Sequence, residues 1–396
     1  MILSHQSKFL ILPVHNRIEY PSGSTAQLMA SQKNQRFIVL LMMRFTSLLI
    51  LFFTSLNCFA QGDSAKSINI SAYVESYFSY DFSKPLNNEK PDFTYNYKKH
   101  NQVNVNLAFV KASYQTKKLR TNLALMLGNY AKYNLSAEPN WAKPLLEANV
   151  GYKPFEQHEF WIDAGVMPSH IGFESAIGSD CSNLTRSILA ENSPYYESGI
   201  KFNYTNKHQD LYVAFHVLNG WQKIAFTKGD EKPSIGLQVN YKPTNKLTLN
   251  YSNFVGNIRV ESRNAFRIFH NLYAIYEASA KLSLIMGFDI GAQKTPDAKS
   301  IVWYTPVVIS KINLTDKSKI AGRLEFYSDQ QQAIISTSTP NGYQTFGASI
   351  NYDHQISPKV LCRAELKNYT SRDPIFQYEQ SSKYQTTGTM ALIVKL

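Results

Sequence analysis

From about residue 68 to the end of the chain, apolar residues recur at every second position. Ile68, Ile70, Ala72 and Val74 share one parity, with Asn69, Ser71, Tyr73 and Glu75 on the other. A period of two sends successive side chains to opposite faces, so each such run predicts a strand with one oily and one wet face. The next runs are Val103, Val105, Leu107, Phe109; then Leu119, Leu123, Leu125, Leu127; then Leu146, Ala148, Val150, Tyr152; then Phe160, Ile162, Ala164, Val166. Ile200, Phe202, Tyr204 and Leu211, Val213, Phe215, Val217 follow, then Ile235, Leu237, Val239, Tyr241 and Leu247, Leu249, Tyr251. The series continues with 266–276, with Leu282, Leu284, Met286, Phe288, Ile290, and with 301–312, which is apolar on both parities and leaves its facing open. It closes with Ile320, Leu324, Phe326; Phe346, Ala348, Ile350, Tyr352; Val360, Cys362, Ala364, Leu366; and Met390, Leu392, Val394, Leu396.

These are sixteen predicted strands, and the connections between them alternate in length. Short ones fall at 116–118, 154–157, 206–209, 243–246, 278–281, 314–317 and 355–359. Long ones fall at about 83–100, 131–144, 167–195, 220–234, 256–264, 293–299, 329–342 and 371–380. Seven short and eight long connections leave both termini on the short-turn side. The pattern predicts an all-β fold: a transmembrane, antiparallel, up-and-down β-barrel of about sixteen strands with short periplasmic turns and long extracellular loops. A secreted soluble sandwich, barrel or solenoid also alternates. Against it stand strands of about ten residues, as a tilted membrane strand needs, and wet faces opposite the oily ones.

Three features of composition refine this picture. The formal charge is +12, but no basic run exceeds two or three residues and no recognition motif appears, which argues against nucleic acid as a partner. Tyr and Phe are abundant, which suits strands and membrane interfaces. The longest apolar run is 45–56, preceded by Arg44 and followed by Cys58-Phe59-Ala60. That is the build of a secretory signal peptide, expected over 43–60 with cleavage after Ala60. Residues 1–42 precede it as an extension excluded from the fold. The barrel domain is expected over 61–396. Downstream of the cleavage site only Cys181 and Cys362 remain, too few and too distant for a disulfide framework.

A barrel of about sixteen strands encloses a water-filled lumen. The charges on the wet parity would line it: Arg120, Glu147, Asp163, Lys201, Arg267, Asp289, Arg323, Glu325, Arg363 and Glu365, with Glu75 and Lys367 beside them. Six of each sign would be costly in a dry interior, so the expectation is a hydrated tube. The segment 167–195 is the longest loop and the third of the long ones. It is expected to fold inward and narrow the channel, and it carries Glu174, Asp180, Arg186 and Glu191. Its negative balance predicts a weak cation preference.

The stretches AGVMPSHIGFES (164–175), NLTRSILAENSPYYESGIKFNY (183–204) and LNGWQ (218–222) resemble a family of bacterial outer-membrane β-barrel porins of a second type, widespread in Bacteroidetes-like organisms. The strong resemblance covers about sixty residues and implies an outer-membrane pore. Outer-membrane barrels usually end in Phe or another aromatic residue, whereas this chain ends in Leu396. The function expected is passive diffusion of small hydrophilic solutes, with outer-membrane lipids and those solutes as partners and a homotrimer or a monomer as the assembly. An outer-membrane barrel enzyme, or a structural or adhesive barrel with a closed lumen, is the alternative. There is no HExxH, GxSxG or P-loop, and no His has metal-ligand spacing, so no cofactor and no enzyme activity is expected. His270, on the oily parity between Ile268 and Leu272, is read as an interface residue.

Overall fold

The computed structural model describes residues 68–226, 229, 232–260, 263–294, 299–376 and 381–396. The extension at 1–42 and the signal peptide at 43–60 lie outside the described residues. Sixteen strands form one closed antiparallel barrel. They are β1 (Asn69–Asp81), β2 (Gln102–Gln115), β3 (Leu119–Leu127), β4 (Leu145–Tyr152), β5 (Glu159–Pro168), β6 (Tyr196–Thr205), β7 (Leu211–Leu218) and β8 (Ser234–Thr244). Then come β9 (Leu247–Val260), β10 (Arg263–Glu277), β11 (Leu282–Lys294), β12 (Ser300–Asn313), β13 (Ser318–Asp329), β14 (Tyr343–Ser357), β15 (Val360–Ser371) and β16 (Tyr384–Lys395). Each strand pairs with its chain neighbours, and β1 pairs with β16 to close the ring. No described helix is long and apolar enough to cross a membrane.

The alternation is physical. On β3, Leu119, Leu123, Leu125 and Leu127 are about half exposed while Ala124 between them is fully buried. The same outward oily face recurs at Val74, Phe288, Leu324, Ile350 and Leu392. So continuous an apolar exterior belongs in lipid, not water. Tyr152, Tyr204, Tyr241, Tyr276 and Tyr352 stand exposed near the short-turn ends of their strands, where a ring can bury its body and wet its hydroxyl.

Strict alternation fails at three places, each with a backbone cause. On β2 the register shifts opposite Glu75 and Ser76, bulging at Asn106. Val103 and Val105 keep the outward parity, but Leu107 turns inward and is fully buried, and Phe109 stacks inside on Tyr73 at 5.2 Å. On β4 a shift between Ala124 and Leu125 likewise brings Leu146 inside, next to Glu147. On β5 Gly165 has φ +124°, and a Cβ there would lie 2.2 Å from the Ala148 carbonyl oxygen. Beyond it Val166 and Met167 are both buried. The bulges on β2 and β4 each add one residue to one strand and so reverse the parity across them, whereas β5 keeps its register with β4 and β6 through Gly165.

Most of the expected loop at 256–264 is strand: β9 reaches Val260 and β10 starts at Arg263, with 261–262 outside the described residues. Of the expected loop at 293–299, Gln293 and Lys294 belong to β11, and 295–298 lie outside the described residues. β12 resolves its ambiguity by facing Trp303, Thr305, Val307 and Ile309 inward and Val302, Tyr304 and Val308 outward. Its inner face is oily because chain from a long loop packs on it: Val307 and Ile309 share a buried cluster with Leu189 and Ala190.

Candidate functional site

The segment between β5 and β6 crosses the inside of the barrel. It makes a 3-10 turn at Gly178–Asp180 and a single helical turn, α1 (Ile188–Glu191). The Ser187 side chain caps that turn by accepting from the Ala190 N–H, and it donates to Glu174. From β5 and β6 the segment reaches the far wall. Asn183 Nδ2 donates to Ser349 Oγ at 3.2 Å, and the Leu184 N–H to Asn351 Oδ1 at 3.0 Å, both on β14. The Gly172 N–H donates to Asn271 Oδ1 on β10 at 3.1 Å.

The far wall meets it with charge. Arg323 on β13 donates to the Thr185 carbonyl at 2.7 Å and to Glu365 Oε1 at 3.0 Å, with Glu325 at 3.2 Å and Glu174 at 3.6 Å. Glu325 accepts the Ile188 N–H at 2.5 Å, and Glu365 accepts the Thr185 N–H at 2.5 Å. Arg363 on β15 donates to the carbonyls of Gly178 (2.6 Å) and Cys181 (3.0 Å) and to Asp353 (2.7 Å). Lys367 donates to the Arg186 carbonyl at 2.8 Å. Arg323, Glu325, Arg363, Glu365 and Lys367 are all buried. The hydrated tube expected for these positions is therefore corrected: on β13–β15 the wall is dry. Its charges are tolerated because the loop backbone and opposite charges satisfy them.

The other wet-parity charges sit apart from this ladder. Arg120 Nε donates to Asp163 at 2.7 Å, its guanidinium lies 4.3 Å from the Trp161 ring centre, and Lys201 stands 3.8 Å from Asp163. Glu147 pairs with Lys111 at 2.7 Å. Arg267 donates to Gln293 at 2.6 Å and lies over the rings of Trp221 and Trp303. Asp289 accepts from Asn271 at 2.5 Å.

The loop's own charges are largely engaged. Arg186 is fully buried and donates to the carbonyls of Ser175, Leu184 and Ala176. Glu191 accepts the N–H groups of Tyr95 (2.8 Å) and Asn96 (3.2 Å). Burial holds its carboxyl above the ordinary carboxylate range despite those donors. Glu174 is buried between Ser187 and Arg323. Asp180 alone is exposed, and it pairs with Lys395 at 3.2 Å. The negative count behind the expected cation preference thus does not face an open passage.

Two features escaped the sequence reading. The first is the β1–β2 connection, which also packs inside: Tyr97 donates to Glu75 at 2.8 Å, and Phe93 packs on Tyr343, Tyr369 and Phe376. The signal available was the aromatic run Phe93, Tyr95, Tyr97 in a loop. The second is a buried clasp at the start of the crossing segment. His170 Nδ1 lies 2.6 Å from Glu197 Oε2, His216 Nδ1 lies 2.7 Å from Glu197 Oε1, and the two imidazoles stack at 4.1 Å. His170 Nε2 donates to the Asn253 carbonyl at 2.8 Å. The three side chains place ligand-type atoms within 4.8 Å of one another, though no sequence spacing announces it.

Cys181 is buried and Cys362 half-buried, both as free thiols. On the outer wall His270 accepts or donates to the Tyr251 hydroxyl at 2.8 Å. Ser318 Oγ lies 3.0 Å from His354 Nδ1 and 3.1 Å from the Tyr352 hydroxyl. That is nucleophile-to-base distance, but among the described residues no carboxylate orients His354.

The family model described as beta-barrel porin-2, OmpL-like, matches residues 67–396. No curated protein is a significant match. Among solved structures, an anion-selective porin from Comamonas acidovorans superposes with a TM-score of 0.59 at 10% identity, over 84% of this chain and 100% of that one. The outer membrane channel DcaP of Acinetobacter baumannii gives 0.57 at 8% identity, over 85% and 99%. OmpF of Salmonella typhi, solved with daunomycin, gives 0.55 at 8%, over 83% and 97%.

Proposed function

Because the chain belongs to the OmpL-like beta-barrel porin-2 family, and is therefore an outer-membrane channel of the porin type, we propose that the 169–195 segment sets the bore through which small hydrophilic solutes diffuse. The observation that carries this reading is the anchoring of that segment to the far wall by Arg323, Glu325, Arg363 and Glu365. A loop held from both sides stays inside the barrel, so on this reading a solute passes beside it. Arg120, Lys201 and Lys111, on inward-facing positions and partly exposed, are the groups it would meet.

Planar-bilayer recording tests the proposal. The purified protein should give discrete conductance steps, and shortening the loop between Ile177 and Leu189 should enlarge them. Equal steps with and without those residues would place the constriction elsewhere.

Export through a signal peptide at 43–60 belongs to the same reading and is supported by Arg44, the apolar run and the Cys58-Phe59-Ala60 site. Protein isolated from outer membranes should begin at Gln61; recovery of residues 1–42 in that protein would refute it.

A further inference from the structure

We propose that the lumen carries a lysine-walled binding site for small oxyanions at its short-turn mouth, and that this site makes the channel anion-preferring. The proposal rests on the porin reading above and deepens it by naming the solute class.

A cavity of about 250 Å³ lies between the tip of the crossing segment, residues 179–182, and the lower ends of β12–β16. Five lysines line it: Lys311, Lys317, Lys319, Lys359 and Lys395. Lys311, Lys319 and Lys395 lie on the inward parity of their strands, in step with buried Ile309, Ala321 and Ile393. Lys317 and Lys359 sit in the adjoining turns.

Three aspartates share the cavity, and two are already occupied. Asp353 is held by Arg363 at 2.7 Å, and Asp180 by Lys395 at 3.2 Å. Asp316 is the third, against Lys311, Lys317, Lys319 and Lys359, for none of which an ion pair forms among the described residues. Like charges that share one concave wall without ion-pair partners favour an anion among them. Low-dielectric walls focus the field and raise the local concentration of counter-ions. Ser179, Ser182 and Gln355 add neutral hydrogen-bonding groups to the same wall. Lysine ammonium is a mobile point charge, suited to a site that must release what it binds. Phosphate, sulfate and short carboxylates are the chemistry this wall recognises.

The site also reverses the charge argument made from the loop alone. Of the loop's acids, Glu174 and Glu191 are engaged inside the protein and Asp180 is paired with Lys395, whereas Lys311, Lys317, Lys319 and Lys359 remain available at the mouth.

The experiment is the reversal potential of the purified protein in a potassium chloride gradient. Anion selectivity is expected. The double variant K311Q/K319Q should move the potential toward zero, and K311E/K319E should move it to the cation side. K207Q, in the turn between β6 and β7, should leave it unchanged. Inorganic phosphate should lower the chloride current of the wild type more than that of K311Q/K319Q. Cation selectivity in the wild type, or the same potential in all variants, overturns the proposal while leaving the channel intact. A folded barrel without any conductance would instead defeat the porin reading. In that event phosphate binding to the folded protein, followed by calorimetry, decides the site independently: binding lost in K311Q/K319Q supports it, and no wild-type binding overturns it. The heat-dependent gel shift of each variant shows that it has folded.

Discussion

Arg323 carries the heaviest electrostatic duty of any single side chain described. Glu365, Glu325 and Glu174 lie within 3.6 Å of it, and it also donates to the Thr185 carbonyl. Removing one partner from a buried ionic group leaves the others uncompensated, at a cost of about 3–5 kcal/mol. Arg323→Met should therefore lower the midpoint of urea unfolding in detergent micelles by a large margin. Lys118→Met, which removes the exposed pair with Glu156, should leave it where it was. A similar midpoint for both variants would mean that water reaches Arg323 in the lumen. That Arg323 would face inward followed from its parity in a run beginning at Ile320. That it would be dry did not, because dryness depends on residues more than a hundred positions away.

The crossing segment is the element on which the channel turns, and its entry is held by the clasp of His170, Glu197 and His216. Burial alone would disfavour a charged imidazole, but the Glu197 carboxylate beside it outweighs burial, with help from the Asn253 carbonyl, and His170 is raised above its usual 6.5. Nearby Lys201 opposes the shift. A group whose folded pKa is raised stabilises the folded state fully below its unfolded value. That contribution is lost as pH climbs through the folded value. The His170 contribution to loop attachment should thus be fullest in mild acid and fade in alkali. Single-channel noise should rise as pH is taken upward from about 6.5. Glu197→Gln should be noisy throughout and lose the dependence. Noise in the wild type that falls with pH would reverse the assignment. The bulges on β2 and β4 belong to this scale too. Each reverses parity so that Leu107 and Leu146 join the buried cluster containing Leu189 and Tyr195.

The barrel as a whole has no free sheet edge: Ala72 and Leu396 exchange backbone hydrogen bonds at 3.1 and 2.8 Å where β1 meets β16. Closed antiparallel sheets satisfy every ladder bond internally and resist detergent. Unboiled protein should migrate differently from boiled protein on detergent gels, and its circular dichroism should be that of strand. Identical migration, or a helical spectrum, would be incompatible with this closure. The exterior is oily, the interior mixes buried charged and polar groups with the apolar clusters under the loops, and the family to which the chain belongs places that exterior in the outer membrane.

The amino-acid sequence determined the strand number, the closed antiparallel order and which parity faces lipid, because those follow from a local period of two and from turn spacing. It also marked the 167–195 segment as exceptional by its length. Where the local period was interrupted, at Asn106 and Leu146, one extra residue reversed the facing, and nothing in the local pattern distinguishes that from continuation. Only the tertiary structure decided what the loop does once inside. It brings Glu174 and Arg186 out of solvent, dries the charges of β13–β15, and gathers lysines from three separate stretches, the 311–319 hairpin, Lys359 and Lys395, at the short-turn mouth. Those outcomes depend on pairing between distant segments across the lumen, and pairing of that kind is set by closure of the ring rather than by any stretch of the chain.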